Sequence, residues 1–108
     1  MPSPEEFHEA MINIYREGQQ LKRKYEARYF IRMVHEHGGI EAARQLLGAK
    51  DAQKGLFSLQ ERNALFLSVE ALVLKPDWAG LFSDEEKQVA RQRLDTLNYR
   101  PEDDPRWL

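Results

Sequence analysis

A chain of 108 residues holds one compact domain rather than two, and 42% hydrophobic residues supply a core, so global disorder is excluded. Without cysteine there is no disulfide scaffold, no cysteine nucleophile and no thiolate metal site. The net charge of −2 argues against a generic nucleic-acid binder, whose footprint is a basic excess, although residues 16–32 set Arg16, Lys22, Arg23, Lys24, Arg28 and Arg32 against only Glu17 and Glu26.

Strand signals are nearly absent: no sustained apolar/polar alternation and no Asn-Gly or Asp-Gly hairpin turn. The expected fold is all-α, a compact bundle of about five helices around a central apolar helix at about 58–75, with residues 1–99 as a single helical domain and 100–108 as a proline-bracketed C-terminal tail.

The first helix starts with Ser3 as N-cap, Pro4 in the first turn and Glu6 completing a capping box; Phe7, Met11, Ile14 and Tyr15 recur at helical spacing and Gly18 interrupts them. The second helix is expected from about Gln19 to His37, with Leu21, Tyr25, Tyr29, Phe30 and Met33 on its apolar face and Gly38–Gly39 stopping it. A short third helix covers about Ile40–Leu47 and ends at Gly48, and GAKDAQKG (48–55) is a polar loop. Ser58 and Glu61 read as a capping box opening the fourth helix, which is apolar nearly all round from Leu59 to Leu74 and stops at Pro76. DWAGLF (77–82) is a connector expected to pack on the core. Ser83 and Glu86 cap a fifth helix, Asn98 is a left-handed stop, and the tail is ordered only if Trp107 or Leu108 docks.

No run reaches the roughly 18 apolar residues of a membrane span. The N-terminal MPSPEEFHEA is acidic, unlike a secretory signal, so a soluble cytoplasmic protein is expected.

Three groups of residues could carry chemistry. His35 and His37 lie two apart, about 200° around a helix, whereas paired ligands sit three or four apart on one face. They read as last-turn residues facing the free carbonyls rather than as a metal site, and His8 is isolated. Glu70 falls within the apolar stripe of the fourth helix; a buried carboxylate needs an arginine, backbone N–H groups or a proton, and Arg32 and Arg62 are the candidate partners. It reads as structural, and as the acid to test if the chain is an enzyme. Lys24, Arg28, Arg32 and His35 follow at spacings of four, four and three, a cationic ridge that suits phosphates or is simply a solvated or ion-paired helix face.

A helix-turn-helix does not fit, because the loop between GIEAARQLL and SLQERNALFLSVEAL is too long and the second segment too apolar. No glycine-rich phosphate loop, serine-nucleophile motif, HExxH or acidic calcium loop is present. No cofactor, metal or catalytic residue is expected.

The segments YFIRMVHEHGGIEAARQLL, GLFSLQERNALFLSVEALVLKPDWAGLF and SDEEKQVARQRLDTLNY, together spanning about residues 29–99, resemble a family of small all-helical bacterial and phage-associated proteins of unassigned function. The resemblance implies the helical fold and no particular activity.

The leading expectation is a non-catalytic protein-interaction module, such as a small regulator or inhibitor encoded by a phage or mobile element. Lys24, Arg28, Arg32, His35, Trp78 and Trp107 are its contact candidates. A nucleic-acid-binding accessory protein using the ridge is the alternative; a homo-oligomer is open, and no membrane partner is expected.

Overall fold

The computed structural model of the chain describes residues 3–49, 53–78 and 80–107, and every regular element among them is helical. In chain order these are α1 (Pro4–Gln19), α2 (Arg28–His37), α3 (Gly39–Gly48), α4 (Gln53–Glu61), α5 (Val69–Val73) and α6 (Asp84–Thr96), with 3₁₀ turns at Leu65–Leu67, Pro76–Trp78 and Pro101–Asp103. The all-α expectation holds. Residues 50–52 of the expected polar loop, Ala79 of the 77–82 connector and Leu108 lie outside the described residues.

α1 begins with the expected N-cap, but only the Ser3 half of the expected capping box forms. Ser3 Oγ accepts from the Glu6 N–H at 3.1 Å, and Pro4 occupies the first turn, where a missing N–H costs nothing. Phe7, Met11, Ile14 and Gly18 form its buried face. Gly18 does not break the helix; it turns the chain back. A side chain there would meet the Tyr25 carbonyl at 3.3 Å, and the Tyr25 N–H donates to the Gly18 carbonyl at 3.0 Å. Residues 21–27 therefore run non-helically over the end of α1, and the helix expected from Gln19 starts only at Arg28. Arg62 holds this connector, donating to the carbonyls of Arg23 (2.7 Å) and Lys24 (3.2 Å) while lying over the Tyr25 ring.

Gly38, at φ 84°, ends α2 as glycine can and most residues cannot. α3 starts against α1: the Gly39 N–H donates to His8 Nδ1 at 3.0 Å, and a Cβ on Gly39 would sit 2.7 Å from His8 Cα. The isolated histidine of the sequence thus takes one of the free N–H groups at the start of α3.

The expected central helix is three pieces. α4 ends at Glu61, Asn63 takes the left-handed conformation (φ 53°), a 3₁₀ turn follows, and Ser68 Oγ caps α5 by accepting from the Ala71 N–H at 3.0 Å. Ser58, expected as a cap, lies inside α4, and its carbonyl accepts from Arg62 at 2.8 Å. The run reads as apolar all round because Ala64, Leu65, Leu67, Ala71, Leu72 and Val73 are all buried, whatever their backbone. Burial at the centre is right; continuity is not.

α6 carries the complete capping box between Ser83 and Glu86, and Asn98 (φ 55°) stops the chain as expected. The tail docks. Trp107 is buried, with its indole N–H donating to the Ala71 carbonyl at 2.7 Å. Asp104 accepts from the Tyr99 hydroxyl (3.0 Å) and from Arg106, whose guanidinium lies over Phe66 and donates to the Asn63 carbonyl at 2.9 Å. Trp107 is thereby a core residue, not a surface contact. Trp78 is half-buried and meets Phe7 edge-on, so it too belongs mainly to the core. No helix among the described residues is long and apolar enough to cross a membrane.

Candidate functional site

Glu70 stands in the first turn of α5 and is 5% exposed. Its carboxylate accepts from Arg93 at 3.0 Å. Neither expected partner supplies that contact: Arg32 is exposed on α2, and Arg62 is spent on the connector. Arg93 comes instead from the last turn of α6. It also donates to the carbonyls of Leu46 (3.0 Å), Leu47 (2.8 Å) and Ala49 (2.9 Å), which the last turn of α3 leaves free. A single guanidinium therefore neutralises Glu70 and ends α3. Burial raises the Glu70 pKa above the usual carboxylate range, and hydrogen bonding from the backbone and Arg93 opposes that rise.

Glu70 also lies at the edge of a groove of about 710 Å³ bounded by the connector, α2, the end of α3 and α4. Its walls are mostly apolar and aromatic: Tyr25, Tyr29, Phe30, Met33, Leu56 and Leu59. The fold explains the opening. Because Gly18 turns the chain back, Tyr25 and Tyr29 arrive from a connector and a fresh helix start rather than from one buried stripe. Tyr29 is 68% exposed on the rim, and Phe57 on α4 is the other large apolar side chain that stands exposed among the described residues. Burial raises the Tyr25 hydroxyl's pKa, Arg62 opposes this, and Glu70 adds to it. The phenol therefore stays neutral in the groove, able to donate or accept. Arg28 and Lys54, both exposed, stand at the starts of α2 and α4 along the opening.

The structure disperses the ridge expected on one helix. Lys24 is in the connector, so it is not stacked with the others; Arg28, Arg32 and His35 remain in line on α2, all exposed. Arg28 alone of them lines the groove, and it pairs with Glu26 at 3.3 Å. His35 and His37 are exposed, and His37 Nε2 lies 3.9 Å from Glu36. Among the described residues, no group of three or more His, Asp or Glu side chains is placed to hold a metal ion.

Sequence reasoning missed the groove itself. Tyr25, Tyr29 and Phe30 were legible as apolar, and Met33 with them, but as one buried face. The signal that separates them is Gly18 followed by the run Lys22-Arg23-Lys24, a poor opening for a helix whose N-terminus prefers acidic residues. Arg93 gave no signal, because nothing in its helix says that it reaches three carbonyls of another.

In comparisons with known proteins, no family model, no curated protein and no solved structure matches the chain.

Proposed function

We propose that this chain is a non-catalytic protein-interaction module that receives a segment of a partner protein in the groove between α2 and α4. The observation that carries the reading is the groove together with its rim: an open apolar and aromatic cleft of about 710 Å³, with Tyr29 exposed at its edge where nothing in the fold covers it among the described residues. Glu70, the acid at this cleft, is tied to Arg93, and that arrangement favours a structural role over proton transfer. A small cytoplasmic regulator of bacterial or phage origin is the concrete form this reading takes, in keeping with the resemblance of residues 29–99.

Tyr29→Ala tests it. Tyr29 is mostly exposed, so its removal leaves the fold intact while deleting the rim aromatic, the kind of residue that dominates interfaces. A partner captured by the wild-type chain and lost with Tyr29→Ala supports the groove; a partner retained equally by both refutes it. The alignment of Arg28, Arg32 and His35 on the outer face of α2 favours a second reading, nucleic-acid binding. That reading requires affinity for DNA or RNA that falls steeply with salt and is abolished by charge reversal at Arg28 and Arg32.

A further inference from the structure

We infer that the occupant of the groove is an amphipathic segment of a protein partner, with apolar side chains for the pit and carboxylates on its flanks. This rests on the interaction reading above and adds the chemistry of the partner.

The pit and its margin differ in what they ask for. The pit is lined by Tyr25, Phe30, Met33, Leu56 and Leu59, and the charge of Glu70 is already met by Arg93. It offers no unmatched charge, so a charged group driven into it would be desolvated without compensation, and an apolar side chain fits. The margin is cationic. Arg28 and Lys54 line the opening, and Lys22, Arg23 and Lys24 are exposed on the connector that forms one side, with Glu26 as the opposing acid there.

A separate group of acids lies at the other end of α1. Glu5, Glu6 and Glu9 open α1, and His8 between them touches Gly39 at the start of α3, which brings Glu41 close. Arg44 pairs with Glu86 at 3.1 Å, which brings the acidic first turn of α6 to the same end. α1 separates this acidic end from the basic connector by about 24 Å, the length of 16 helical residues. The two ends of α1 thus differ in local charge, and the cations at the margin of the groove favour a negatively flanked partner there.

Other occupants fit less well. A nucleic acid satisfies the cations but has no aliphatic side chains for the pit. A second copy of the chain has acidic segments, but the apolar faces that accompany those opening α1 and α6, Phe7, Met11 and Ile14 on the one and Ala90 and Leu94 on the other, are buried in its own core. A partner segment with both features at once meets both demands.

The test uses three dye-labelled synthetic amphipathic helical peptides with one shared leucine face and flanks of Glu, Gln or Lys. Each is titrated with the full chain by fluorescence anisotropy, with a labelled DNA duplex as a fourth probe and light scattering of the free chain alongside. The Glu-flanked peptide is expected to bind about tenfold tighter than the Gln-flanked one at low salt, with the Lys-flanked one weakest. The order should invert in the double variant Arg28→Glu, Lys54→Glu, and Tyr29→Ala should weaken all three. Equal binding of the three peptides, still lost with Tyr29→Ala, overturns the acidic-flank inference and leaves the groove reading standing. Binding of none overturns both. DNA binding tighter than any peptide, or a chain already self-associated through Tyr29, overturns the inference in favour of the other occupant.

Discussion

Removing the Arg93 guanidinium, whose side chain is only 8% exposed, should injure this fold severely. In Arg93→Ala, Glu70 keeps its place, 5% exposed, and loses its counter-ion, while the carbonyls of Leu46, Leu47 and Ala49 lose their donor. Breaking a buried pair from one side costs about 3–5 kcal/mol. At about 4 °C per kcal/mol for a chain of this size, the midpoint should fall by roughly 12–20 °C. Glu70→Gln should be milder, about 1.5–3 kcal/mol, because the amide oxygen can still accept from Arg93, whose guanidinium loses its counter-ion but keeps three carbonyl acceptors.

The pH dependence has a definite sign. The Glu70 pKa is raised in the fold, so the folded state holds its proton more tightly than the unfolded chain does, and Glu70's contribution improves as pH falls through its folded pKa. Without Arg93 the rise is larger. The deficit of Arg93→Ala should therefore be widest at neutral pH and narrow on acidification, and Glu70→Gln in the same chain should remove that narrowing. Urea unfolding of the two single variants and the double variant, followed by circular dichroism across pH, measures all of this, with an expected coupling of about 2 kcal/mol at pH 7. An Arg93→Ala chain within about 1 kcal/mol of wild type, with a deficit independent of pH, would refute the buried-pair account.

Four further outcomes follow. Asn98→Ala places a Cβ-bearing residue with no local hydrogen bond at φ 55° and should cost about 1–2 kcal/mol by thermal unfolding, whereas Asn98→Gly should be tolerated. Gly39→Ala drives a Cβ to within 2.7 Å of the His8 backbone and should cost about 1–3 kcal/mol with no relief available from a side-chain rotation. Arg91 holds Glu102 down to about 2 and Arg106 holds Asp104 below its usual range, so the stability these acids confer is complete above about pH 5 and is lost as pH falls toward 2; Trp107 emission in a Trp78→Phe background should shift to the red in that window, and emission unchanged to pH 2 would contradict this role of the two acids in docking the tail. Tyr29→Ala should leave stability within about 0.5 kcal/mol of wild type, and a larger loss would mean that Tyr29 belongs to the core after all.

The parts of the fold legible in the sequence are those fixed by local chemistry. Ser3, the Ser83–Glu86 box, Gly38 and Asn98 each bind or bend the backbone within a few residues, and each does so in the structure. Glu70 was legible as a buried acid because burial follows the apolar stripe, but its partner was not, since the choice among arginines is made by tertiary packing. The break at 62–68 was hidden by the same apolar richness that marked the segment as central: once every face is covered, periodicity no longer distinguishes one helix from three short turns. Of the surface candidates, Trp107 was misplaced because a large aromatic near a proline-rich end reads as exposed until Ala71 is seen to accept its indole N–H. The groove was illegible for a related reason, since it exists only where the connector after Gly18 departs from the helix that the spacing suggests.

Hydrogen–deuterium exchange of the full chain with and without the Glu-flanked peptide tests the central claim most directly. Protection confined to residues 25–33 and 54–59 is the expected result. Protection on α6 and the docked C-terminal tail instead, with 25–33 unchanged while the peptide is bound, would contradict the groove as the site of interaction.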